Sequence, residues 1–283
     1  MQREIFRMGD HYVPQYYLKG FVTPKYNQIW VYEKNTGHSF STNPKNIAQE
    51  NGFYTPEIEK YLAEKIEAPA NEVLLKIRQK QPITESDRIT MTKYMVVMMK
   101  RVPQNKSFFR EKAPEVAQSL QQKWDQELLQ FALEEPELET KVESYRSKIS
   151  DLLNKFANDP PKDIWLENLP PHRTPQIVEA LSQMIWRFLV YDDTPAFFTS
   201  DNPVFYPKGI GIGRLESEVI FPISSHIILW ANWLKGHIPT GYVKINKQLV
   251  RRANQCIVSN STRYIFHAKD EDWISRFISK NAC

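Results

Sequence analysis

Cysteine is nearly missing from this chain of 283 residues, which has only Cys256 and Cys283. Two cysteines argue against a disulfide framework and suit a reducing cytoplasm, and with no Cys-x-x-Cys pair a thiolate zinc site is not expected. Glycine is also scarce: there are nine, and three stand together in "KGIGIGR" at 209, 211 and 213. That spacing is not the dinucleotide-binding pattern, and the stretch reads as a flexible hairpin loop. No window of eighteen uncharged apolar residues exists, so no membrane-spanning helix is expected. "MQREIFRMGD" lacks the apolar centre of a secretory signal. A Walker loop, a nucleophile elbow, a His-Glu-x-x-His helix and an EF-hand are missing as well.

What is there begins with an uneven charge. The net charge is +4, and the segment from Lys244 to Lys280 holds eight Lys and Arg against Asp270, Glu271 and Asp272. That segment carries +5 and the rest of the chain −1. A basic segment of this kind, with Arg251 and Arg252 at its centre, suits a phosphate backbone, although a solvated helix face has the same composition.

Patterning predicts strands at both ends and helices between. Residues 1–55 read as extended, with "QIWVYEK", the turn "NTG" and "HSFST" forming a β-hairpin over 28–42. From Pro56 to about Leu189 the pattern is helical. Thr55 caps the first helix with Pro56 at its first position, and Pro69 is expected to kink or break it. "TESD" opens the next helix as a capping box, and "YMVVMMKRV" is apolar all round, hence buried, with Met95, Met98 and Met99 as core filling. Residues 111–157 read as a long antiparallel hairpin. Its second arm carries a heptad seam of Leu138, Val142, Tyr145, Ile149, Leu152 and Phe156, and its first arm carries Val116, Leu120, Trp124, Leu128 and Phe131. A further helix, capped by Thr174, is expected to bury Ile177, Leu181, Met184, Ile185 and Phe188. Strands return in "AFFTS", "VFYP", "SEVIFPI", "HIILWANW" and "RYIFHA", and "INKQLVRRANQCIVSN" and "EDWISRFISK" read as helices. The simplest architecture is a single α+β domain over 1–283. Its terminal strands share a sheet, and 56–191 is a helical insertion that contains the hairpin.

Two stretches bring polar groups into aromatic surroundings. In "GDHYVPQYYLKGF", His11 suits a general base or a metal ligand, and it equally suits a histidine bonded to a carbonyl. In "FFTSDNPVFYP", Asp201 and Asn202 sit between strands, where a carboxylate and an amide suit a ligand or a hard cation but are also ordinary turn chemistry. The helix "PEIEKYLAEKIE" adds Glu57, Glu59, Glu64 and Glu67, as carboxylates for a metal or acid–base work or as a salt-bridged surface.

"HYVPQYYLKGF", "IWVYEK", "NGFYTPEIEKYLAEKIE", "FFTSDNPV" and "VIFPIS", in this order, resemble the bacterial family known as domain of unknown function 4238. The resemblance runs from His11 to about Ser224. It implies that His11, Gln15, Glu67, Arg101, Asp201 and Asn202 are the motif positions, and it implies no activity. The expectation is a hydrolase acting on a nucleic acid or nucleotide. His11 would be base or ligand, Asp201 and Glu67 would bind a divalent cation (Mg²⁺ or Mn²⁺), and Gln15, Asn202 and Arg101 would contact substrate together with Arg251 and Arg252. The alternative is a non-catalytic protein that docks a protein partner through the 111–157 hairpin. These sequence features leave the oligomeric state open.

Overall fold

The computed structural model describes residues 9–23, 25–207, 209–234 and 239–282. The first eight residues of the segment read as extended, Lys208 of the glycine loop and Cys283 lie outside the described residues.

In chain order the strands are β1 (Asp10–His11), β2 (Ile29–Glu33), β3 (His38–Thr42), β4 (Gln49–Glu50), β5 (Ile185–Val190), β6 (Thr199–Ser200), β7 (Glu218–Ser224), β8 (Ile227–Asn232), β9 (Gly241–Lys244) and β10 (Tyr264–His267). The α-helices are α1 (Gln15–Leu18), α2 (Pro56–Tyr61), α3 (Ala68–Arg78), α4 (Glu85–Lys100), α5 (Pro103–Glu134), α6 (Glu139–Asn158), α7 (Lys162–Glu167), α8 (Pro175–Gln183), α9 (Lys247–Asn260) and α10 (Asp272–Asn281). The class is α+β, and the described residues form three sheets ordered β1-β4, β3-β2-β10-β6 and β7-β8-β5-β9. The expected 28–42 hairpin is present as β2 and β3, and β10 pairs antiparallel with β2 from Tyr264 against Glu33 to His267 against Trp30. The two ends of the chain therefore share a sheet.

The chain divides into two compact units, one of Met1–Pro103 with Leu169–Cys283 and one of Gln104–Asn168. In the smaller unit α5 and α6 run antiparallel. Phe109 meets Phe156 edge to face at 6.3 Å, and Arg146 pairs with Asp125 at 3.3 Å. The seam differs from the heptad expectation. Val142 is buried, and Ile149 and Phe156 are half-buried, but Tyr145 is 59% and Leu152 65% exposed. The inward row passes instead through Arg146 and Leu153, because the ion pair to Asp125 draws Arg146 inward in place of its apolar neighbour.

Three other expectations are corrected in the larger unit. Residues 185–190 are not helical. They form β5, hydrogen-bonded to β8 on one side and β9 on the other. A buried apolar run has no periodicity to separate helix from central strand, and here pairing on both sides decides it. Thr174 precedes α8 without capping it, and its buried hydroxyl has no partner among the described residues. Residues 1–55 are not wholly extended among those described: α1 and a 3₁₀ turn at Lys19–Phe21 follow Pro14. Proline's fixed φ suits the entry to a helix, which is why the chain turns there.

Where Pro69 is expected to kink or break the helix, α2 runs into α3 through a π-helical turn at Leu62–Glu67. Proline has no N–H to offer the carbonyl of Lys65, and its ring crowds that carbonyl, so the preceding turn widens. The Thr55 cap and the Thr84–Asp87 capping box form as expected, and Met95, Met98 and Met99 are buried in the core. No helix among the described residues is long and apolar enough to cross a membrane.

Candidate functional site

The two aromatic motifs meet, and packing joins them. The Tyr17 hydroxyl is 2.7 Å from Thr199 Oγ1, both fully buried. Arg78 holds α1 in place by donating to the carbonyls of Tyr16 (3.3 Å), Tyr17 (2.8 Å) and Ile223 (3.1 Å). Gly20 allows the close approach: a Cβ there would stand 2.7 Å from the Ile223 carbonyl oxygen. Half of the first motif is thus a structural joint.

The other half opens onto a cavity of about 210 Å³ lined by His11, Gln15, Tyr54, Glu59, Glu67 and Arg101, among others. Each comes from a different local device. β1 carries His11, paired opposite Gln49, and the first turn of α1 carries Gln15. The π turn presents Leu62, Ala63 and Glu67 together, and Arg101 is the residue that closes α4. Tyr54 is fixed by its own N–H, which donates to Asp10 Oδ2 at 3.0 Å.

Arg101 organises the floor. It is 2% exposed and donates from Nη1 to Glu67 Oε1 at 2.6 Å, from Nε to the Tyr54 hydroxyl at 3.0 Å, and from Nη2 to the His11 carbonyl. Burial works against its charge, but Tyr54 and Glu67 outweigh that and hold its pKa above the usual value. Burial pushes the Tyr54 phenol up to about 12, against the pull of Arg101. Arg101 therefore stays charged and ties the carboxylate of Glu67 to the backbone of His11.

The His11 ring has a defined polarity. Nε2 lies 3.2 Å from the Lys45 carbonyl, which can only accept, so Nε2 carries the proton and Nδ1 the lone pair. Gln15 Nε2 faces Nδ1 at 3.5 Å. Burial lowers the imidazole pKa from 6.5, and the Arg101 charge lowers it further against the opposing effects of the Lys45 carbonyl and Glu67. At neutral pH the ring is an uncharged base. Glu67 Oε2 has no hydrogen-bond partner among the described residues. A proton acceptor, a half-spent carboxylate and a fixed cation thus share one small opening.

Asp201 and Asn202 are not on this cavity. Asp201 is 2% exposed and accepts three backbone N–H bonds, from Thr262 (2.8 Å), Arg263 (2.6 Å) and Tyr264 (3.1 Å). Burial raises its pKa in spite of those bonds. Asn202 and Asn260 clasp each other, each amide nitrogen donating to the other's carbonyl at 3.1 and 2.9 Å. The turn meets the first motif at Tyr12, whose phenol is pushed up by burial and by the Asp201 charge. The pairing of Asp201 with Glu67 around a divalent cation does not fit this geometry. The oxygens of Asp201 are taken by backbone, and Glu67 is paired to Arg101. Among the described residues no group of three or more His, Cys, Asp or Glu is arranged to hold a metal ion.

The remaining sequence candidates separate. Glu57 and Glu64 are exposed, as a solvated helix face would be. Arg251 lines a second, larger cavity, and Arg252 points elsewhere, 3.6 Å from Glu218. Tyr54 was not picked out from sequence as a site residue. Its neighbour Thr55, a helix cap, was the available signal that this chain segment is held in place.

Residues 10–271 match the family model described as "Protein of unknown function (DUF4238)". No curated protein and no solved structure matches the chain.

Proposed function

We propose that this chain, which belongs to the DUF4238 family, is a hydrolase of phosphate esters in nucleotides or nucleic acid, with its chemistry at the His11–Glu67 cavity. The observation that carries the reading is the uncharged His11 ring, which lines the same opening as Glu67 and the Arg101 guanidinium and whose Nδ1 has only a 3.5 Å contact to Gln15. His11 Nδ1 accepts the proton of the attacking water as its oxygen bonds to phosphorus. The phosphorus–oxygen bond to the leaving group then breaks, and the imidazolium returns the proton to that oxygen. Glu67 Oε2 orients the water, and the Arg101 charge offsets negative charge that grows on the phosphate. The cavity is smaller than those that hold whole drug-sized ligands, so it takes one phosphate group and its immediate neighbours.

The test is a cleavage assay of purified protein on single- and double-stranded DNA, tRNA and mononucleotides, each with Mg²⁺, Mn²⁺ or chelator. Product that His11→Ala and Glu67→Gln both abolish, with melting temperature retained, supports the reading. Absence of product from every substrate, or product that both variants still form, overturns it.

A second reading has its own observation. On α5, Val116, Leu120, Trp124 and Phe131 are 38–45% exposed, while Ala113 and Ala117 take the buried side. An apolar stripe on a long hairpin suits a protein partner. Crosslinking in cells checks it: a discrete adduct lost in Leu120→Glu/Trp124→Glu sustains this reading, and an unchanged pattern ends it.

A further inference from the structure

A second cavity, of about 590 Å³, lies between α9, α10 and the segment that follows β5, and it shares no lining residue with the His11 cavity. Its walls carry Lys247, Arg251, Lys269, Arg276 and Lys280 against one carboxylate, Glu271. Lys269 pairs with Glu271 at 3.0 Å. The other four cations have no ion-pair partner among the described residues. Four uncompensated positive charges around one opening repel each other, and a bound polyanion relieves that repulsion.

Aromatic surface lies beside the charge. Trp273 is 45% exposed on this cavity, yet its ring is held. The indole N–H donates to Glu271, Phe198 lies against the ring at 6.2 Å with 29° between the planes, and Phe277 meets it edge-on at 6.3 Å. Below, the Asn254 amide accepts from the Phe198 N–H (3.0 Å) and donates to the Ala196 carbonyl (2.8 Å), which locks the wall formed by 196–198 to α9. A rigid, half-exposed indole next to flexible cations is a platform for a flat base joined to phosphates. The volume is that of a small-molecule site, large enough for a whole nucleotide.

We infer that this cavity binds a nucleoside triphosphate, with the base against Trp273 and the phosphates among Lys247, Arg251, Arg276 and Lys280. The site is independent of the hydrolase reading, since none of its residues lines the His11 cavity.

Equilibrium titration of the full chain with ATP, inorganic tripolyphosphate and an eight-nucleotide deoxythymidine strand tests it. The expected result is saturable ATP binding that Arg251→Ala/Arg276→Ala weakens by about tenfold or more. Trp273→Leu is expected to weaken ATP binding by about tenfold and to leave tripolyphosphate unchanged. Arg251 and Arg276 are exposed, so the double variant is expected to keep the wild-type melting temperature. Three outcomes overturn the inference. These are no saturable ATP binding, tripolyphosphate binding as tightly as ATP with no effect of Trp273→Leu, and the oligonucleotide binding more tightly than ATP.

Discussion

The His11 cavity and the Asp201 turn are made of the same materials: an ionisable group, an amide partner and aromatic neighbours, half-buried at His11 and fully buried at Asp201. They differ in where the polar atoms are spent. At Asp201 the carboxylate accepts three backbone N–H groups and the neighbouring amide is returned by Asn260. At His11 one nitrogen is bound to a carbonyl, the other faces a weak amide contact at 3.5 Å, and Glu67 keeps one oxygen free of protein partners among the described residues. A closed polar cluster stabilises the fold, and an open one keeps capacity for something else. The residue types alone do not separate the two cases.

Asp201→Ala leaves three backbone donors without their acceptor and is expected to destabilise by roughly 3–5 kcal/mol. At about 2–4 °C per kcal/mol in a chain of this size, the melting temperature falls by roughly 10 °C. A fall under about 2 °C in thermal unfolding would show that the turn is not closed in the sense argued.

His267 supplies a fully buried histidine to set beside His11. It is 3% exposed, its Nδ1 is 2.6 Å from the Lys269 carbonyl, and its Nε2 has no partner among the described residues. Burial lowers its pKa to about 4. The unfolded chain takes up this proton near 6.5, so the group's contribution is complete above that pH and is lost as pH falls from 6.5 toward 4. The loss is on the order of 3 kcal/mol. Denaturant unfolding of wild type and His267→Phe between pH 4 and 7 checks it. The wild-type curve should fall more steeply across that window, and parallel curves would refute the assignment.

His11→Ala is expected to act the other way, lowering the hydrolysis rate by about 10²-fold or more while moving the melting temperature by no more than a few degrees. A stability loss like that of Asp201→Ala, with catalysis intact per folded molecule, would make the two clusters equivalent. The smallest effect concerns pH. Because the His11 pKa is lowered from 6.5, the uncharged base persists below that value, and the acid limb of the rate profile should have its midpoint under 6.5. A midpoint at or above 6.5 would remove His11 as the base.

Much of this was legible residue by residue. The hairpin over 28–42 and the Thr55 and Thr84 caps follow from alternation, turn residues and capping, which are local rules, and the shared sheet of the chain ends follows from the simplest layering of the elements. The six positions that the resemblance implies divide: His11, Gln15, Glu67 and Arg101 line one cavity, while Asp201 and Asn202 lie off it. The misreadings have a common cause. The run at 185–190 is apolar whether helical or extended, and only its neighbours β8 and β9 decide which. The seam of α6 depended on an ion pair with another helix, and Thr174 carries a capping residue type without capping geometry.

By itself, then, the sequence determined the local vocabulary: where helices start, where the chain turns, which segments are buried, and which polar residues stand in aromatic company. It also determined that Pro69 would disturb its helix, since a missing N–H acts within one turn. The tertiary structure decided which of those polar residues are free to act. That question turns on partners far along the chain: Thr262 to Tyr264 for Asp201, Asn260 for Asn202, Lys45 for His11 and Arg101 for Glu67. Hydrogen-bond capacity is spent by contact in space, and no spacing along the chain records who is close enough to accept it.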